Sequence, residues 1–198
     1  MAVLLSQTVY DRLLADVLAA EPGAKLPGER ALSEAFAVNR HAVREAIKRL
    51  QQAGLVTVSQ GGATRVTDWR RTAGLDLLVS LAATGGGPEL VRDILEMRAA
   101  VGADVARRCA LRGGSAGEPS DSEDGYVAFW EGIVDGAGNL AYRLALNTLV
   151  AAQRHGALDP GLYLPERRDL AAQAALAAAI ERGDGDAAWR IADELMVR

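Results

Sequence analysis

The stretch VNRHAVREAIKRLQQAGL, residues 38–55, decides the fold. Val43, Ala46, Ile47 and Leu50 recur at steps of three and four, which on a helix makes one buried stripe. Arg40, His41, Arg44 and Lys48 fall on another stripe. Asn39 stands directly before the helix, where a side-chain oxygen can accept from the free amides of the first turn. Val38 and Val43 have the spacing of a hydrophobic staple across that cap. Gly54 fits the left-handed stop just past the last turn.

Upstream, Val9, Leu13, Leu14, Val17 and Leu18 share one helical face, and Pro22-Gly23 ends that helix. Pro27 opens a second, short helix with Leu32, Ala35 and Phe36 inward, followed by a brief turn at Ala37-Val38. Downstream, two β-prone runs, 55–59 and 63–67, flank Gln60-Gly61-Gly62 and read as a hairpin. Three helices and then a hairpin is the order of a winged helix-turn-helix.

That order carries a chemistry. The second helix of a helix-turn-helix lies in the DNA major groove, and its N-terminal residues reach base edges. Arginine is the commonest reader of guanine because its forked donors match O6 and N7. Arg40, His41 and Arg44 occupy those first turns; the plainer alternative is a solvated helix face. Arg30 opens the second helix, where it meets either a phosphate or a carboxylate of Glu29 or Glu34. Gln60-Gly61 forms the wing tip, a turn in any case and a minor-groove contact if the wing meets DNA.

Charge is divided along the chain. Residues 1–67 hold eight basic and six acidic side chains, a net +2; the whole chain carries −4, which leaves −6 beyond. This suits a DNA-facing half and an acidic half kept off the phosphates. Apolar residues make up 49% and aromatics 5%, rich in Ala and Leu, which favours helices. The single cysteine, Cys109, excludes an intramolecular disulfide and a thiolate zinc site and fits a reducing compartment. No secretory signal is evident, and no apolar run approaches the roughly 20 residues of a membrane span. A cytoplasmic, nucleoid-associated protein is expected.

Beyond residue 67 everything reads as helical. Leu75, Leu77, Leu78 and Leu81 mark a linking helix over 68–84. A long helix follows Gly85-Gly86-Gly87-Pro88, with Leu90, Ile94, Met97, Val101 and Val105 as its stripe. Residues 113–125, GGSAGEPSDSEDG, read as a flexible acidic loop. Further helices are expected near 126–136, 139–156, 166–182 and 184–197. The fold class is therefore mainly α: a winged helix-turn-helix of three helices and a β-hairpin over 1–67, and an all-α bundle over 68–198.

LPGERALSE (26–34), VNRHAVREAIKRLQQAGL (38–55) and QGGATRV (60–66) resemble the GntR superfamily of bacterial regulators. The resemblance implies that Arg30, Arg40 and Arg44 are the main DNA contacts. Asn39, His41, Gln60, Gly61 and Thr64 take accessory positions. The C-terminal half resembles the FadR subfamily, whose effector domain is a helical bundle. One branch of it holds a metal with an Asp and three His. Here Tyr126 replaces that Asp, Trp130 and Gln173 replace two of the His, and the chain stops about where the last would fall, so no metal is expected. TDWRRTAGLDLLVSLA (67–82), MRAAV (97–101) and GYVAFWEGIVDGAGNLAYRLALNTL (125–149) are similar instead to the metal-free branch of fatty-acid-metabolism regulators, which sense long-chain acyl-CoA. Arg98 matches an arginine near that branch's pocket.

The acidic loop, and an end at Arg198 short of the branch's last helix turns, imply a shortened C-terminal domain. An acyl-CoA effector, a smaller carboxylate and no effector all stay open. Ligand candidates are Arg98, Trp130, Tyr142 and Trp189. Arg98 alternatively pairs with Asp93 or Glu96, and the three aromatics alternatively pack in the core or a dimer contact. There is no phosphate-binding glycine loop and no nucleophile with a nearby base, so no catalytic residues, enzyme activity or cofactor are expected. The expected partners are a pseudo-palindromic DNA operator, a second copy of the chain and a small effector. A winged-helix module for protein contacts is the alternative.

Overall fold

Val9, Leu13, Leu14 and Val17 are buried, so the first helix, α1 (Ala2–Ala19), turns the expected face inward, against the third helix. The computed structural model describes residues 2–59, 63–83, 87–154 and 164–197. It divides into two units, Met1–Leu77 and Leu78–Arg198.

In the first unit α2 (Glu29–Ala35) buries Leu32, whereas Ala35 is exposed and Phe36 only half-buried. The expected inward trio is thus reduced, because the helix stops at Ala35 and the Arg12 guanidinium covers the Phe36 ring at 5.0 Å. Ala37 then takes a left-handed φ of 52°. Ser33 secures the turn: its hydroxyl donates to the Val38 carbonyl at 2.5 Å, and its own carbonyl accepts from the Val38 amide at 3.1 Å. Helix α3 (Arg40–Gln52) starts as the sequence indicates, with the Ala42 amide donating to the Asn39 side chain at 2.8 Å. Val43, Ala46, Ile47 and Leu50 are all buried beneath it.

Strands β1 (Val56–Val58) and β2 (Thr64–Val66) pair antiparallel, Val56 opposite Val66 and Val58 opposite Thr64. Gln60 and Gly61 lie outside the described residues. The link after α1 adds a third, unanticipated partner. The Leu26 amide donates to Thr64 O, the Val66 amide to Ala24 O and the Gly23 amide to Val66 O, at 2.8–2.9 Å. This covers the free edge of β2, which would otherwise leave backbone groups unpaired.

One linking helix over 68–84 is not what forms. Two short helices, α4 (Trp69–Thr72) and α5 (Leu77–Ala83), are separated by extended backbone at Ala73. Thr67 and Thr72 both donate to the Gly54 carbonyl at 2.6 Å. Gly54 itself has φ +75°, and a Cβ there would lie 2.5 Å from Thr72 O. Only glycine suits both demands. These bonds tie residues 67–72 to the first unit.

In the second unit α6 (Gly87–Leu111) packs along α7 (Glu123–Gly136), α10 (Leu170–Glu181) and α11 (Gly185–Val197). α8 (Leu140–Arg154) lies against α7, and the short α9 (Leu164–Arg168) precedes α10. Phe129, Ile133, Leu176, Ile180 and Leu195 fill the core against Ala103, Ala106 and Ala110 of α6. Those small residues let the helices approach closely. The helix expected at 166–182 breaks at Asp169, whose carboxylate accepts from the Ala172 amide at 2.9 Å and restarts it.

Residues 113–125 are not a loose excursion. Gly114, Gly117, Gly132 and Gly136 meet face to face: a Cβ on Gly114 would lie 2.6 Å from Gly136 Cα, and one on Gly132 would lie 2.6 Å from Gly117 N. The Gly117 amide donates to Phe129 O at 3.2 Å, and Ser122 caps α7. The fully buried Gln173 completes the seam, accepting from the Ser120 amide at 2.9 Å and donating to its carbonyl at 3.2 Å.

Candidate nucleic-acid interface and effector cavity

The start of α3 presents Arg40, His41 and Arg44 to solvent. Arg44 is held in a two-pronged pair with Glu29 of α2, Nη2 to Oε2 at 2.8 Å and Nε to Oε1 at 3.2 Å. The hydrogen bond from Arg44 holds the Glu29 carboxyl below its ordinary range against the pull of burial, with Arg40 adding its charge. Glu29 also raises the Arg44 guanidinium. Arg30 donates to Glu34 at 2.9 Å, the carboxylate partner that spacing allowed. Both groups are largely exposed, and such a pair exchanges readily for a phosphate. Thr64 is 7% exposed, since alternate residues of a strand face opposite ways and it shares a face with Val66; it lines a hollow with Arg44 and Lys48. Arg65 points outward and donates to Gly23 O at 2.9 Å.

Three of the four ligand candidates meet in the second unit. Arg98, Trp130 and Tyr142 line one cavity of about 80 Å³, together with Val101, Val105, Leu146 and Met196. Trp189 does not line it. It sits on α11 with 41% exposure, as its helical phase turns the ring outward. The Tyr142 ring faces the cavity while its hydroxyl donates to Asp104, which also accepts from Arg108 Nε at 2.6 Å. These two bonds, Tyr142's first, hold the Asp104 carboxyl below its usual range.

Arg98 has a partner that spacing could not reveal. Its Nη1 and Nη2 grip Glu166 of α9 at 2.8 and 2.6 Å, and the Tyr126 hydroxyl donates to Glu166 Oε2 at 2.8 Å. The Glu166 side chain is only 4% exposed and that of Arg98 14%. Burial pushes the Tyr126 phenol well above its ordinary range, with Arg98 acting the other way. Asp93 and Glu96, the partners suggested by spacing, lie against Arg92 at 3.1 and 3.8 Å. Two buried donors among the described residues lack a well-formed hydrogen bond, Trp130 Nε1 and Arg167 Nε, and both residues line this cavity.

The family described as "Bacterial regulatory proteins, gntR family" matches residues 5–66. The chain is 40% identical over 169 residues to the HTH-type transcriptional regulator Mce2R of Mycobacterium tuberculosis, covering 74% of this chain and 69% of that one. The chain belongs to the GntR family. It is therefore a DNA-binding transcriptional regulator, as its relatives are. A fatty acid metabolism regulator protein of Erwinia tasmaniensis is 32% identical over 143 residues, 65% of this chain and 60% of that one. In fold, this GntR protein is similar to the Listeria monocytogenes regulator Lar, with TM-score 0.50 and 16% identity over 97% of this chain and 93% of that chain.

This GntR regulator places its former metal-branch positions in other work. Tyr126 serves Glu166, Trp130 stacks edge-on against Phe129 with centroids 5.9 Å apart, and Gln173 bonds backbone at Ser120 and Arg167. Among the described residues no three His, Cys, Asp or Glu side chains gather as a metal site would need, and no helix is long and apolar enough to cross a membrane.

Proposed function

We propose that this regulator binds a pseudo-palindromic operator as a homodimer and answers to an acyl effector of fatty-acid metabolism held in the helical unit. Residues 1–67 read the DNA and the remainder senses and dimerises, in the cytoplasm at the nucleoid. The observation that carries the DNA half is the capped start of α3, where Arg40, His41 and Arg44 stand exposed beside one another. Arg40 and Arg44 take base edges, Arg30 a phosphate, and Asn39, His41, Gln60 and Gly61 the flanking contacts. Exposed Leu140 and Leu144, one turn apart on α8, offer an apolar contact for a second copy.

The names of the fatty-acid regulator relatives support an acyl-CoA effector. A second reading, a smaller carboxylate, is favoured by the cavity: about 80 Å³ holds a few waters, far less than the ~300 Å³ at which ligand pockets begin. DNase footprinting on the promoter beside the gene, with and without palmitoyl-CoA or octanoate, tests both. Protection that disappears in Arg40→Ala and is relieved by either ligand supports the proposal; absence of protection at low salt, where phosphate contacts are strongest, refutes it.

A further inference from the structure

The ion pair of Arg98 with Glu166 stands between two spaces. Arg98 lines the small cavity, and Glu166 lines a neighbouring groove of about 650 Å³ with Val91, Leu95 and Ala99. Met196 borders both. Two buried donors of the cavity's lining residues lack a well-formed hydrogen bond: Arg167 Nε, and Trp130 Nε1, which interacts only with the neighbouring Tyr126 hydroxyl. A site of unsatisfied donors beside an arginine calls for acceptor oxygens, since a buried donor left unpaired is costly. The remaining walls are largely apolar: Val101, Val105, Leu146 and Val150.

We infer that Glu166 is an internal competitor for the effector's own anionic head, and that the site selects anionic amphiphiles able to displace it from Arg98. This rests on the reading that the cavity takes an effector. Glu166 supplies the carboxylate that the fork of Arg98 requires, in the bidentate geometry a fatty carboxylate would use. An entering carboxylate takes Arg98 and those donors, and its chain extends along the apolar walls into the space the Glu166 side chain leaves. A neutral head gains no such exchange, because it cannot replace the charge that Arg98 loses. Glu166 thereby sets a threshold: ligands too weak to displace it leave the regulator unswitched.

Isothermal titration of the full chain with decanoate, 1-decanol and decylamine tests this. If the pair is closed in at least about nine molecules of ten, removing the competitor raises apparent affinity about tenfold or more. Glu166→Gln, which keeps the shape and drops the charge, should tighten decanoate by about that factor and leave 1-decanol unchanged. Tyr126→Phe removes one bond to Glu166 and one from Arg98 but keeps the ion pair, and should give a smaller gain of the same sign. It also keeps the idea testable if Glu166→Gln folds poorly. Decylamine should bind neither protein. Decanoate binding that both variants leave unchanged or weaken overturns the inference while the effector reading stands. An equal gain for 1-decanol overturns it too, since space and not charge would then be the cause. No binding of any probe by any of the proteins overturns both.

Discussion

Asn39 has two roles that substitution can pull apart. Its Oδ1 accepts from the Ala42 amide and so holds the first turn of α3; its proposed flanking contact, next to the base-reading Arg40, would bring it close to the DNA backbone. Replacing it with alanine removes the cap at a cost of about 1 kcal/mol. In a unit of this size that lowers the unfolding midpoint by about 4–8 °C, and it speeds hydrogen exchange at the Ala42 amide about fivefold if that amide opens with the turn. Asn39→Asp does the opposite to the fold. Aspartate caps equally well, and its charge is favourable at a helix N-terminus by about 0.3–1 kcal/mol. It also sets an anion where DNA phosphate must come. The aspartate variant should therefore be as stable as the natural chain or more so, and yet bind operator DNA more weakly. Thermal unfolding measures the first, and fluorescence anisotropy from 50 to 200 mM salt measures the second. The salt slope should fall by about one for every phosphate the variant no longer neutralises. Wild-type DNA affinity in Asn39→Asp would refute the placing of the α3 start at the phosphate backbone. Unchanged stability in Asn39→Ala would refute the cap.

Three further outcomes follow from single contacts. Gly54→Ala should destabilise by more than about 1 kcal/mol, since it combines a left-handed φ of 75° with a Cβ 2.5 Å from Thr72 O; chemical denaturation reads this. Arg98→Met should cost about 3–5 kcal/mol by leaving Glu166 buried and unpaired, and Arg98→Met with Glu166→Leu should recover most of it, which a double-mutant cycle measures. The Asp104 carboxyl is depressed in the fold, so its stabilisation is present above the ordinary carboxyl range and lost as pH falls through the lower folded value. Asp104→Asn should accordingly lower the unfolding midpoint at pH 7, with the difference closing below about pH 4.

The sequence made the DNA-binding unit legible because its signals are local. A cap, a staple and an apolar stripe all act within one or two turns, and α3 begins and ends where they point. What it hid was non-local. Glu166 lies 68 residues from Arg98, and helical spacing offered only Asp93 and Glu96. Nor could periodicity show that residues 23–26 pair with β2, since that segment has no strand pattern of its own. Segment 113–125 is largely the loop its turn residues indicate, but an anchored one. The usable signal was its glycines: Gly114 and Gly117 match Gly132 and Gly136 on α7, and close backbone approach needs glycine on both sides. Nor does a residue's type show which way it faces: the phase of its helix or strand turns Trp189 outward and Thr64 inward.

A common arrangement links three of the four arginines with a proposed role. Arg30, Arg44 and Arg98 each face a carboxylate of this chain: Glu34, Glu29 and Glu166. What differs is exposure. The Arg44 and Glu29 side chains are 65% and 37% exposed, so water screens the pair and DNA phosphate can replace the carboxylate at little cost. The Glu166 side chain is nearly sealed, so parting it from Arg98 without a substitute strands two charges in an apolar setting. The same pairing is therefore permissive at the proposed DNA face and selective in the cavity. At the first, any polyanion competes, and under the proposed reading specificity comes from Arg40 and Arg44 on base edges. In the second, only a ligand that brings its own anion can pass. A regulator built this way would meet many DNA sites loosely and few effectors firmly.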